Sequence, residues 1–325
     1  MSDRETKAPE PAAARRASPW RFLGVAGALV LGVVFLIAAW AKAIDPVAFA
    51  EQITAEGLDF LLPASLVGWG AIVLEVVLGL ALVLGLRRKA VLWPTGVLIV
   101  LFLSLTGRAY WRFLNGIEET SSCGCFGNLW NRTPAEAFWQ DILLLVPPFV
   151  LACVWRPVAA MQRKWKLAAV ALAAVVSGFF VWRSPELPLD NLATRLSPGV
   201  RVADLCAGST SDPGELACLD LLLPELLTGT HLVVIDAFGS ETLQAEMGRL
   251  NELAQSGNLE GVWLLNDATE EERSTFLLLR APVFGVREVP APLLRPLYRH
   301  LPRVFAVEEG SVTTTWSHYP APDAV

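Results

Sequence analysis

Only five of the 325 residues are cysteine and only three are histidine. No histidine or further cysteine lies beside the one tight pair, Cys123 and Cys125, so a tetrahedral zinc set has too few ligands there. Charge is sparse as well: 18% of residues are Asp, Glu, Lys or Arg and 54% are hydrophobic, a balance that argues for a membrane protein over two soluble domains. The second half lacks a basic excess, since residues 1–183 hold 17 Lys/Arg against 12 Asp/Glu while residues 184–325 hold 9 against 20. An acidic half without a basic stripe has nothing with which to follow a phosphate backbone, and nucleic acid is excluded as a partner. There is also no internal repeat and only one carboxylate deep in an apolar run, which leaves a transporter with little support.

What is present is a series of long apolar runs. Residues 1–20 mix Arg, Lys, Pro and Ala without periodicity and read as a disordered cytoplasmic tail. Five candidate spans follow: Phe22 to Trp40, Leu61 to Leu86, Ala90 to Thr106, Phe138 to Val154 and Leu167 to Trp182. The first approaches the length a helix needs to cross ~30 Å of hydrocarbon, although Ala41-Lys42-Ala43 also resembles a signal-peptide cleavage site. Basic residues cluster before the first span (Arg15, Arg16, Arg21), between the second and third (Arg87, Arg88, Lys89) and between the fourth and fifth (Arg156, Arg163, Lys164, Lys166). The positive-inside rule then places the N-terminus in the cytoplasm, and the loop at 121–127 and everything after Trp182 outside. The expected fold is a membrane bundle of four helices with a fifth tethering helix, followed by an α/β extracytoplasmic domain.

The loop at 121–127 reads Ser-Ser-Cys-Gly-Cys-Phe-Gly. A disulfide between residues i and i+2 closes a small, strained ring that a central glycine eases, and strained, exposed disulfides are the reducible ones. A redox pair is the sharper reading; inert thiols and half of a metal site are the alternatives. Glu75, near the middle of the second span, is either a functional carboxylate or a structural partner of Lys42 or Arg108. Asp141 opens the fourth span, where it suits a helix N-terminus, and Pro147 and Pro148 are expected to kink that helix. Cys153 reads as a small buried apolar residue on the cytoplasmic side.

After a proline-rich linker the pattern changes. His231 to Phe238 reads as a buried strand, Glu241 to Gln255 as an amphipathic helix, Gly261 to Leu265 as a strand and Thr269 to Arg280 as a helix. Arg303 to Val307 and Ser311 to Trp316 read as a hairpin, with Pro302 just before it. That order is thioredoxin-like. Cys206 and Cys218 flank a Gly/Ser/Asp-rich loop and are close enough to bridge, either as a structural disulfide or as a second redox pair exchanging with Cys123 and Cys125. The expected divisions are a tail at 1–20, a four-helix domain at 21–156, a fifth helix and linker at 157–198, and a degenerate thioredoxin-like domain at 199–325.

Lys42, Asp45-Pro46, Glu75, Cys-Gly-Cys-Phe-Gly at 123–127 and Asp141 resemble the MauE family of methylamine-utilisation membrane proteins, relatives of the DoxX group. The resemblance covers residues 20–156. It implies a bundle of four membrane helices and a role in forming disulfides in, or maturing, an extracytoplasmic client, which for methylamine-utilisation members is the small subunit of methylamine dehydrogenase. The C-terminal half is similar to the thioredoxin-like partner of that system, and Pro302 matches its cis-proline. One departure stands out: where such domains carry Cys-x-x-Cys, this chain reads Gly239-Ser240-Glu241-Thr242-Leu243.

The resulting expectation is a membrane thiol–disulfide oxidoreductase component in which Cys123 and Cys125 exchange with a client, with Glu75, Lys42 and Arg108 as supporting charges and no metal. The alternatives are a non-catalytic anchored docking factor and, through the DoxX kinship, a quinone-linked sulfur-compound oxidoreductase subunit. A quinone is the cofactor that this kinship raises; the partners expected are the lipid bilayer and a client or redox partner outside an inner membrane.

Overall fold

The structure, a computed structural model, describes residues 19–86, 89–116, 133–154, 164–207 and 217–321. The tail expected at 1–20 and the Cys123/Cys125 loop fall wholly or largely outside the described residues. Helix α1 (Pro19–Ala43) is followed by a short helix α2 (Pro46–Ala55), then by α3 (Ala64–Val83), α4 (Lys89–Leu114), α5 (Pro134–Val154) and α6 (Lys164–Arg183). Among the described residues five helices, all of these but α2, are long and apolar enough to cross a membrane. Each is at least about 30 Å long at 1.5 Å per residue.

Antiparallel neighbours pack through small residues. A Cβ on Gly32 of α1 would stand 2.7 Å from the Gly79 carbonyl of α3, and one on Gly27 would stand 2.6 Å from the Pro148 carbonyl of α5, so glycine permits both close crossings. Further out, α4 lies against α5 and α6 lies against α3. Lys166, at the start of α6, donates to the Leu84 carbonyl just past α3, and Trp69 Nε1 donates to the Gly178 carbonyl at 3.0 Å, fastening α6 to α3 at both ends. The ends of α1, α4 and α6 and the starts of α3 and α5 therefore share one face of the bundle.

Several boundaries differ from the apolar runs. α3 begins at Ala64 and not at Leu61, because Pro63 occupies the N-cap and Phe60, Leu61 and Leu62 form an exposed turn before it. α4 continues past Thr106 through Arg108 and Arg112, since isolated charges do not stop a helix. α5 starts with a capping box, in which the Thr133 N–H donates to the Glu136 carboxylate and the Glu136 N–H to the Thr133 hydroxyl. Asp141 is thus two turns inside α5, and it is buried. Both Pro147 and Pro148 lie within α5, which runs through them as a helix.

The second half contains short helices α7 (Asp190–Ala193) and α8 (Leu219–Leu222), a two-stranded ribbon of β1 (Cys206–Ala207) and β2 (Ala217–Cys218), and a five-stranded sheet. In chain order the sheet is built from β3 (Thr230–Ile235), α9 (Glu241–Gln255), β4 (Gly261–Asn266), α10 (Glu270–Arg280), β5 (Gly285–Glu288), α11 (Ala291–Leu294), β6 (Arg303–Glu308) and β7 (Ser311–Trp316). Its spatial order is β5-β4-β3-β6-β7, with the first three parallel and β6 and β7 antiparallel. Central β3 is covered on both faces, which explains its unbroken apolar run. Leu232 and Val234 meet Leu243, Met247 and Leu250 of α9 and Phe276 of α10, while Val233 and Ile235 meet Leu196, Leu219, Leu293 and Phe305.

Two expectations on this half are corrected. Strand β3 ends at Ile235 rather than Phe238, because Asp236 leaves the ladder to accept from the Ala237 N–H and from Tyr319. The sheet also has an extra edge strand, β5, paired in parallel with Trp263 to Asn266 of β4.

Cys206 and Cys218 are disulfide-bonded across the β1–β2 ribbon. A bridge closing a loop of 12 residues removes chain entropy from the unfolded state. A Cys206→Ala/Cys218→Ala variant is expected to lose about 3 kcal/mol of domain stability in denaturant titrations. Unchanged stability would mean that the bridge does not brace the domain.

Candidate functional site

Inside the bundle the Lys42 ammonium donates to Glu75 Oε1, and both side chains are almost wholly buried. Lys42 Nζ also lies 4.7 Å from the ring centroid of Phe102 and 5.2 Å from that of Phe49, so two aromatic faces and one carboxylate enclose the cation. Glu75 Oε2 has no hydrogen-bond partner among the described residues. Of the two partners expected for Glu75, the structure selects Lys42. Arg108 points elsewhere, to Glu56 just past α2, at 3.6 Å.

The face shared by the ends of α1, α4 and α6 carries α2 and meets the α/β domain. Asp45 caps α2, accepting from the Ala48 N–H at 3.1 Å with Pro46 in the first turn. Burial holds its carboxyl above the ordinary carboxylate range, opposed by that N–H and by the Arg299 and His300 charges of the domain. Arg299 is buried and donates to the Ser184 carbonyl at 2.9 Å and the Leu187 carbonyl at 3.1 Å, immediately after α6. Ser184 donates in turn to the Ile44 carbonyl, and Arg295 pairs with Glu51 of α2 at 2.7 Å. The peptide bond Leu301-Pro302, which enters β6, is cis. The segment holding Arg295, Arg299 and cis-Pro302 is thus fastened to the same end of the bundle at which α4 stops near Gly116 and α5 resumes after Thr133.

At the β3–α9 turn, where thiol chemistry would sit in a thioredoxin-like domain, the chain has hydroxyls and a carboxylate. Ser240 caps α9 and accepts from the Leu243 N–H, its hydroxyl lies 2.6 Å from that of Thr242, and Thr242 and Tyr319 both donate to Asp236 Oδ2. Burial and the adjacent Asp236 carboxylate push the Tyr319 phenol well above its ordinary range, so it stays a donor at neutral pH. This cluster joins the end of the chain to the sheet and contains nothing that exchanges electrons. Sequence reasoning missed Arg295, Arg299 and Asn266, whose partners or vacancies arise only in the folded chain. Cys123 and Cys125 lie outside the described residues; Cys153 is half-buried on α5.

These features define a multi-span membrane bundle joined to an α/β domain with a thioredoxin-like sheet and no cysteine at the β3–α9 turn. Residues 20–156, the bundle through α5, match the family of methylamine utilisation protein MauE. No curated protein matches the chain. Among solved structures, the C-terminal region is similar to a protein described as a thiol:disulfide interchange protein DsbE from Chlorobium tepidum, at 16% identity and a TM-score of 0.31, covering 39% of this chain and 90% of that one. It is similar also to the thioredoxin domain of a thiol-disulfide oxidoreductase from Bacteroides vulgatus, at 13% identity and a TM-score of 0.29, covering 38% and 91%.

Proposed function

We propose that the chain is a membrane thiol–disulfide redox component in which Cys123 and Cys125 form the exchanging pair and the α/β domain presents an extracytoplasmic client to them. The observation that carries this reading is the fastening of the cis-Pro302 segment, through Arg299 and the Arg295–Glu51 pair, to the bundle end from which the 117–132 connection departs. The basic residues at 87–89 and 156–166 lie in the connections between the other ends of these helices, which under the positive-inside rule supports a domain outside the cytoplasm.

In the oxidising direction a client thiolate attacks one sulfur of the Cys123–Cys125 disulfide and the other sulfur leaves as a thiolate. A second client thiolate then attacks the mixed bond, which leaves a client disulfide and a reduced pair. Returning the pair to its disulfide form takes a two-electron acceptor, and a membrane quinone, the cofactor that the DoxX kinship raises, would supply that chemistry. A methylamine dehydrogenase-like protein is the client suggested by the family of the bundle.

Single Cys123→Ser and Cys125→Ser variants are expected to hold a mixed disulfide with the client, visible as a reductant-sensitive adduct on non-reducing gels. If neither forms one, this reading fails. The absence of cysteine from Gly239 to Leu243 favours a second reading, an anchored docking factor. It requires the Cys123→Ser/Cys125→Ser double variant to keep full function while deletion of residues 199–325 abolishes it.

A further inference from the structure

At the C-terminal ends of β3 and β4 the domain has a cleft of about 690 Å³. Phe238 and Phe276 stand in its wall with their rings stacked at 4.4 Å, and Leu279 lines it from α10. Asn266 also lines it; this residue is 3% exposed, and neither its amide nitrogen nor its amide oxygen has a partner among the described residues. Leaving both atoms of a buried amide unpaired is costly, and an apolar residue of the same size would be the ordinary occupant of such a position. An unpaired donor beside an unpaired acceptor is the complement of one peptide group.

The rim adds charge. Asp267, Glu271 and Glu272 bring carboxylates to the opening, while Arg280 donates to Gln244. Glu272 is engaged by the Thr269 N–H and hydroxyl, which leaves Asp267 and Glu271, both exposed, as the carboxylates facing an incoming ligand. A base could also pair with an amide, but a nucleotide would bring its phosphates against this acidic rim.

We propose that the cleft binds an extended polypeptide segment of a partner protein, with Asn266 pairing one peptide group, Phe238, Phe276 and Leu279 receiving an apolar side chain, and Asp267 and Glu271 receiving a Lys or Arg. This deepens the client-presenting reading, on which it rests for its biological setting, and supplies a recognition element for a domain that has no cysteine at its β3–α9 turn.

The test uses the full chain in lipid nanodiscs and fluorescein-labelled octapeptide pools, randomised over Ala, Leu, Thr and Val, with a central Lys, Gln or Glu, read by anisotropy. The Lys pool should bind about fivefold tighter than the Gln pool, and the Glu pool should bind weakest. Asn266→Leu should weaken every pool about tenfold while raising the unfolding midpoint. Asp267→Lys/Glu271→Lys, which changes only exposed positions, should reverse the order of the Lys and Glu pools. The Cys123→Ser/Cys125→Ser variant should bind like the wild type, so a failure of the redox reading leaves this result standing. No saturable binding by any pool, an order that survives the charge reversal, or binding indifferent to Asn266→Leu would overturn the cleft proposal, even if the cysteine pair still cycles.

Discussion

Lys42→Met and Glu75→Gln are each expected to destabilise the bundle by about 3–5 kcal/mol, the cost of leaving one buried charge without its partner. The effect is large because the pair sits inside apolar helices: Lys42 is 3% exposed and Glu75 is 0% exposed. The double variant Lys42→Met/Glu75→Met should recover most of the loss, since two apolar side chains fill similar volume without an unmet charge, and Met packs well against the rings of Phe49 and Phe102. Denaturant titration in micelles measures all three. The same set separates two roles expected for these residues. If the double variant is stable and still exchanges thiols, the pair locks α1 to α3; if it is stable and exchange is lost, the charges act on the redox step itself.

Arg299→Ala is the second large effect. Its guanidinium satisfies the Ser184 and Leu187 carbonyls from a buried position, and truncation strands both acceptors. A loss of about 3 kcal/mol of docking between domain and bundle follows. It should appear as faster hydrogen exchange and faster proteolysis across Ser184 to Leu189, with the domain core unchanged. Arg299→Lys should fall between, because an ammonium retains the charge but not the fork that reaches two carbonyls. Equal protection in all three proteins would mean that the contact does not hold the domain in place. Removing the weaker Arg295–Glu51 pair, whose side chains are each about half exposed, should cost no more than about 1 kcal/mol.

The parts of the fold readable from the chain were those with long local patterns. Long, mostly apolar runs marked the five spans, and the amphipathic repeat of Leu243, Met247, Leu250 and Leu253 gave α9 at the bounds observed. The hairpin of β6 and β7 was plain from Glu309-Gly310 standing between two short strand-forming segments. What escaped had only short or distant signals. Helix α2 carries its own start signal in Asp45-Pro46, but ten residues of mixed polarity beside an apolar run do not announce a helix. Strand β5, Gly-Val-Arg-Glu, exists because β4 offers it an edge; its four residues have no strand pattern of their own.

The candidate site divided in the same way. Glu75 was conspicuous because a carboxylate in an apolar run is expensive, yet choosing between Lys42 and Arg108 required knowing that α2 brings Glu56 to Arg108. Arg299 and Ser184 stand 115 residues apart, and no local rule joins them. The missing cysteines of the β3–α9 turn were evident at once, whereas the polar cluster of Ser240, Thr242, Asp236 and Tyr319 that stands there formed only when the chain end folded back on the sheet.

The central claim is that Cys123 and Cys125 change oxidation state on the side of the membrane that holds the α/β domain. Differential alkylation of intact membranes across graded glutathione buffers, with one membrane-impermeant reagent and one permeant, measures this directly. The account predicts that both thiols become alkylated together at a midpoint within the buffered range, that the impermeant reagent reaches them from the domain side, and that Cys206 and Cys218 stay bonded throughout. Labelling of Cys123 and Cys125 only by the permeant reagent from the cytoplasmic side, or a pair that stays in one oxidation state across the whole series, would contradict it.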